Sequence, residues 1–212
     1  MDHKHERLGT PRAAGIAGVV FALLMAAAIV LVRIALPQGA GGDDVAVDAG
    51  QRSAVQTALA LLPFAGIAFL WFMGALREQA GDDEDRFVST VFLGSGLVFV
   101  ATLFASAAAA GTVLDESQQH TPFGRHFAYT LLTTYAMRMA AVFIFTTSAI
   151  GRRLGVFPRP LVVLGYVTGL ILLVAGADLP WCELVFPAWA LIVGLYILSG
   201  RHPAGPRPAA PA

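Results

Sequence analysis

The chain has 212 residues, of which 57% are hydrophobic and 13% are charged, and its formal net charge is zero. Soluble domains carry about 25% charged residues, so this composition, with a mean hydropathy of +0.69, excludes an ordinary soluble protein. The charges stand between long apolar runs, a pattern typical of a protein that crosses a membrane several times. The sequence has no basic patch with interleaved aromatic residues, which argues against nucleic acid as a partner.

Six apolar runs follow one another, and we predict an all-α, polytopic transmembrane bundle of six helices. The expected spans are about 13–36, 54–76, 87–111, 127–150, 161–177 and 183–199, which lie near the ~20 residues that cross a ~30 Å hydrocarbon core. Residues 1–12 are expected to form a basic cytoplasmic tail, and residues 200–212 a Pro/Ala-rich, disordered cytoplasmic tail. The first run exceeds the 7–15 apolar residues of a signal peptide, so we interpret it as a retained anchor.

Lysine and arginine in the flanks of the spans predict the orientation. With six spans, ten of the fourteen Lys and Arg residues flank one side, two flank the other, and two lie within spans. Both termini are therefore predicted to be cytoplasmic. The single lysine and the many arginines and alanines are associated with bacterial genomes rich in G and C, so the expected location is a bacterial inner membrane.

Arg138 stands near the middle of the fourth run. It lies eleven residues after Phe127, about 16 Å along a helix, which would bring it near the bilayer midplane at a cost of roughly 2.5–3.5 kcal/mol. Thr130 and Thr134 precede it by eight and four residues, and Tyr135 lies beside them. We hypothesise an outward-facing polar crevice with Arg138 at its base, able to bind an anionic ligand or a lipid headgroup. The alternative is a packing arginine that bonds groups on adjacent helices.

The other charged residues have plainer interpretations. Arg33 lies about one turn from the outer end of the first span, and we expect it to snorkel to the interface. Asp178 and Glu183 of the outer hairpin could approach Arg138, although from several turns away. No acidic residue and no histidine lies in the middle of a span, which lowers the expectation of a proton pump.

We predict no catalytic, cofactor-binding or metal-binding residue. The acidic residues and histidines of the loop before the fourth run lack metal-ligand spacing, and no nucleophile stands in a motif with a base. Whether the chain is an enzyme is left open, with the sequence leaning against it.

Two sets of small residues recur at every fourth position, and such faces let helices approach closely. They are Ala14, Gly18, Ala22 and Ala26 in the first run, and Ala101, Ala105 and Ala109 in the third. Besides the lipid bilayer, the expected partners are therefore a membrane protein or a second copy of the chain.

Two stretches carry a resemblance to known sequences: Phe69 to Leu97, and Tyr135 to Phe143 with Phe186 to Trp189 later. They resemble a family of uncharacterised actinobacterial multi-pass integral membrane proteins, and the match covers spans two to six. The resemblance implies the six-span architecture. Since no activity is assigned to that family, it implies no mechanism.

Two functions follow from these patterns. The first is an accessory or structural membrane protein that acts through helix contacts. The second is a transporter, channel or lipid- or anion-binding protein that uses Arg138. A continuous polar cavity reaching Arg138 would favour the second function, and a closed bundle would favour the first.

Overall fold

A computed structural model describes residues 11–35, 49–80, 86–114, 127–175 and 181–200. Within these ranges 95% of the residues are helical and there is no strand, so the all-α prediction is confirmed. Most of the two predicted tails lies outside the described residues, as do Asp178 and the acidic residues and histidines of the loop before the fourth run.

Six helices match the six apolar runs. They are α1 (Pro11–Ala35), α2 (Ala49–Ala80), α3 (Arg86–Leu114), α4 (Phe127–Arg153), α5 (Arg159–Ala175) and α6 (Val185–Leu198). A 3-10 turn, Cys182–Leu184, leads into α6. Helices α1 to α4 contain apolar stretches of 23 to 29 residues, long enough to cross a membrane, whereas α5 and α6 are shorter apolar helices.

The second helix extends beyond its predicted span at both ends. It begins at Ala49 and ends at Ala80, whereas the apolar run covers 54–76. Backbone hydrogen bonding does not require apolar side chains, so a helix continues into polar flanks that hydropathy does not detect. The predicted bounds therefore mark the apolar part of each helix and not its ends.

Neighbouring helices run antiparallel and form a ring. Helix α1 packs most extensively against α2 and α6, α3 lies against α2 and α4, and α5 lies against α4 and α6. Gly165 of α5 illustrates the last arrangement, since Ser148 of α4 and the Trp189 indole of α6 are its nearest neighbours. The contact between α1 and α6, the first and last helices, closes the bundle.

The middle of the bundle is filled by aromatic rings. Five phenylalanines from five different helices are fully buried there: Phe21, Phe69, Phe99, Phe143 and Phe186. Neighbouring ring centroids lie 4.9–6.4 Å apart, most of them edge to face or tilted. Since lipid chains are as apolar as these side chains, such packing contributes through dispersion and ring geometry more than through exclusion of water.

Helices α1 and α6 approach each other so closely that their backbones touch. A Cβ atom added to Gly194 would lie 2.9 Å from the Gly15 carbonyl oxygen and 3.1 Å from the Val19 nitrogen. Ala14, Gly18 and Ala22 are buried along the same side of α1. The small residues of α1 therefore serve packing within this chain.

The small residues of α3 have a different environment. Ala101 and Ala105 are exposed and Ala109 is half-buried. Gly94 lies two turns before Ala101 on the same helix. A Cβ atom added to Gly94 would meet nothing within 4 Å. The small residues of α3 that stand exposed on the described bundle are therefore Ala101 and Ala105.

Candidate functional site

The helix that carries Arg138 is irregular just before that residue. Residues Leu131–Ala136 form a π-helical segment, and a regular α-helix resumes at Met137. Within the segment the Thr133 hydroxyl donates a hydrogen bond to the Tyr129 carbonyl oxygen at 2.9 Å. Threonine side chains that bond the preceding turn in this way loosen the helical ladder, and π segments occur frequently at functional sites.

The four predicted site residues all lie on α4, and none of them is buried. Arg138 and Tyr135 are exposed, the latter to 56%, and Thr134 and Thr130 are half-buried. Their neighbours Ala136 and Met137 are fully buried against the rest of the bundle. The polar stripe therefore opens on the surface of the chain, and its role in ligand binding stays a prediction.

Arg138 has no salt bridge or hydrogen bond within the part of the chain that the structure describes. The alternative of a packing arginine would need a hydroxyl or carbonyl partner on an adjacent helix. Among the described residues the geometry gives it none. A group outside these residues would have to offset the cost of this charge.

The sequence analysis missed the ion pair that the structure does contain. The Arg33 guanidinium of α1 donates a hydrogen bond to the Glu183 carboxylate at 2.5 Å, although the two residues are 150 positions apart. Both side chains are largely buried, with exposed fractions of 10% and 4%. This pair connects the end of α1 to the turn that precedes α6.

Trp181 completes this arrangement. The Arg33 guanidinium carbon lies 6.0 Å from the centroid of the Trp181 ring, at the limit of a cation–π contact. Trp181 has a φ of +68°, a left-handed conformation that costs a large side chain roughly 1–3 kcal/mol. This conformation occurs where the chain enters the 3-10 segment, with the indole beside the Arg33 guanidinium.

The second oxygen of Glu183 is buried and has no hydrogen-bond partner among the described residues. One oxygen of the carboxylate therefore accepts a hydrogen bond from Arg33, while the other is removed from water and accepts no hydrogen bond among the described residues. Such an atom costs free energy, so the pair is less favourable than a bidentate one.

Two expectations from the sequence are corrected by this pair. Arg33 does not reach the surface by snorkelling, because Glu183 holds it in the bundle. Glu183 does not approach Arg138, because it is engaged with Arg33. The sequence held one signal for this ion pair: Arg33 and Glu183 carry opposite charges, and both are predicted at the outer ends of their spans. Sequence separation alone gave no reason to pair them.

Arg138 and Glu183 lie at comparable levels along the bundle. The Phe143 ring of α4 lies 6.4 Å from the Phe186 ring of α6, and the two helices run in the same direction. Arg138 precedes Phe143 by five residues, about 7.5 Å, and Glu183 precedes Phe186 by three, about 5 Å. Both charges therefore lie on the same side of the aromatic core.

The opposite end of the bundle is basic. Antiparallel packing brings together six exposed arginines from the ends of α1 to α5: Arg12, Arg77, Arg86, Arg152, Arg153 and Arg159. At the other end, Arg52 at the start of α2 is exposed. The charge asymmetry that was counted in the sequence is thus present in three dimensions among the described residues.

Comparisons of the chain with protein-family models, with curated proteins and with solved structures gave no match. The resemblance to an actinobacterial membrane-protein family therefore stays a prediction, and any function has to be inferred from the geometry.

Proposed function

We propose that this chain is a six-span protein of a bacterial inner membrane, with both termini in the cytoplasm, that acts as an accessory or structural protein through lateral contacts. The six helices and their antiparallel packing support an even number of crossings. Helix α5 and the segment from Cys182 to Leu198 are each 17 residues long, which is the lower limit for a crossing. The six exposed arginines at one end support a cytoplasmic location for that end.

The filled aromatic centre is the observation that supports this role over transport. A path along the bundle axis would have to pass rings from five helices that are fully buried against one another. Protein interiors packed in this way hold few voids larger than a water molecule. The surface residues of the bundle are therefore better suited to function than its axis.

The exposed small-residue face of α3 supports lateral contact with another helix. Ala101 and Ala105 would let a second helix come close to the α3 backbone, as Gly194 lets α6 approach α1. Transport, channel or lipid- or anion-binding activity through Arg138 is the second candidate. Because Arg138 is exposed on the surface of the bundle, it favours binding over transport or conduction.

Cysteine accessibility separates a closed bundle from a conduit. In a Cys182→Ala background, Ala65→Cys and Ala140→Cys would introduce thiols at fully buried positions on α2 and α4. We expect a membrane-impermeant thiol reagent to leave both unmodified in native membranes and to modify Arg52→Cys, which is exposed. Modification of the two buried positions at the rate of Arg52→Cys would contradict the closed bundle.

The same reagent tests the orientation. Thiols placed at positions 5 and 205 should react only after the cells are permeabilised, whereas Arg52→Cys should react in intact cells. Reaction of only one terminus in intact cells would mean an odd number of crossings.

A further inference from the structure

We propose that Arg138, with Tyr135 and Thr134, binds the phosphate of a phospholipid in the leaflet opposite the basic end of the bundle. The inference rests on the proposed six-span orientation, and it supplies a ligand for the surface of α4. Three observations carry it: the level of Arg138, the charges around it and the groups beside it.

The level of Arg138 follows from α4 itself. Arg138 and the exposed Arg152 are fourteen residues apart in a regular α-helix, which is about 21 Å. If Arg152 marks the inner boundary of a ~30 Å core, Arg138 lies about 6 Å beyond the midplane toward the outer leaflet. Side chains of a helix lean toward its N-terminus, and here that end is the outer one. A snorkelling arginine at this level directs its guanidinium toward the phosphate region of that leaflet.

Among the described residues Arg138 has no counterion, and we infer that a group from outside the chain supplies one. Among the described spans Glu183 is the carboxylate at a similar level, and Arg33 already binds it. A symmetric contact between two copies through this face would bring two Arg138 side chains together, and like charges repel. A partner helix with an acidic residue would itself have to insert that residue, whereas lipid phosphates are already present at the membrane surface.

The groups beside Arg138 suit a phosphate. A guanidinium can bind two phosphate oxygens with parallel hydrogen bonds, which leaves other phosphate oxygens as acceptors. Tyr135, three residues before Arg138, has an exposed side chain that carries a hydroxyl. Thr134, four residues before Arg138, is half-buried and carries a second hydroxyl. Helix α5, which packs against α4, has exposed apolar residues along its length, among them Val163, Val167 and Val174, so this side of the bundle can accommodate acyl chains.

Native mass spectrometry of the full-length protein in detergent, titrated with phosphatidylglycerol, tests this proposal. We expect Arg138→Gln to weaken the tightest lipid adduct about tenfold, the effect of losing a charge-assisted pair. Arg138→Lys should retain part of the affinity, because it keeps the charge and loses the fork. Arg52→Gln is the matched control, since it removes one exposed positive charge from the same predicted side, and it should leave that adduct unchanged.

Equal adducts in Arg138→Gln and Arg52→Gln would overturn the proposal. So would release of a stoichiometric protein by Arg138→Gln with no change in lipid, which would mean a partner carboxylate. Binding of inorganic phosphate to lipid-free protein with the same affinity would assign the site to a free anion and would equally overturn it. Cysteine labelling of the same variants in intact and permeabilised cells shows separately whether the six-span orientation has failed.

Discussion

The two arginines within the apolar helices, Arg33 and Arg138, lie at similar levels on the same side of the aromatic core and have opposite environments. Arg33 is buried, bound to Glu183 and covered by Trp181. Arg138 is exposed and has no ionic partner among the described residues. The cost of the first charge is offset within the chain, whereas the second is left for the surroundings. A charge in an apolar run therefore indicates function only once the possibility of a partner within the chain has been examined.

The largest expected effect comes from removing the partner of the buried arginine. Glu183→Leu should lower the free energy of unfolding by about 3–5 kcal/mol, because it leaves Arg33 buried and uncompensated. Equilibrium unfolding in mixed micelles of dodecyl maltoside and sodium dodecyl sulfate, followed by far-ultraviolet circular dichroism, measures this change.

The double variant Arg33→Met with Glu183→Leu provides the control. Replacement of both charges by apolar side chains should restore most of the stability, since such exchanges are often neutral or favourable. A double variant as unstable as the single one would show that packing of the Glu183 side chain, and not its charge, holds the turn in place.

An intermediate effect is expected at the contact that positions α1 beside α6. Gly194→Ala should destabilise the protein by about 1–3 kcal/mol, because its Cβ would meet the Gly15 carbonyl oxygen at 2.9 Å and backbone atoms cannot rotate away. The measurement is the same unfolding experiment. Gly94→Ala is the matched control: its Cβ meets nothing within 4 Å, and it should stabilise the helix by about 0.4–1 kcal/mol. Equal effects of the two changes would mean that α1 and α6 are less closely packed than described.

The smallest effect is expected for the exposed arginine. Arg138→Gln should change the free energy of unfolding in lipid-free micelles by less than about 0.5 kcal/mol, as for other exposed positions away from special features. A loss similar to that of Glu183→Leu would remove the contrast between the two arginines. It would also imply that Arg138 binds a group of the chain outside the described residues.

The sequence was sufficient for the helices because their signal is local. Six apolar runs, each bounded by polar residues, correspond to α1 to α6, with errors of a few residues at the ends. The relation of Arg138 to Thr134 and Tyr135 was also local: Arg138 and Tyr135 are exposed on α4, and Thr134 is half-buried. The π segment from Leu131 to Ala136 gave no such signal, because apolar residues and threonines fit a regular helix as well.

The missing information concerned partners at a distance. Whether Arg33 meets Glu183 or a lipid headgroup depends on which helices become neighbours, and nothing near Arg33 in the sequence encodes that. The two small-residue sets look alike in the sequence, yet Ala22 is buried and Ala105 is exposed. Burial of a face depends on the packing of the whole bundle, so the pattern could identify both surfaces but could not assign one to the interior.

The link between Arg33 and Glu183 also has a consequence for biosynthesis. Arg33 leaves the ribosome 150 residues before its counterion, a delay of roughly 8 to 30 s at elongation rates of about 5–20 residues per second. During that interval the nascent first helix carries an uncompensated cation, which only completion of the last hairpin can neutralise. A chain that terminates before Glu183 would keep Arg33 without its counterion permanently, so an unfinished product differs from the complete protein by an uncompensated charge in its first helix.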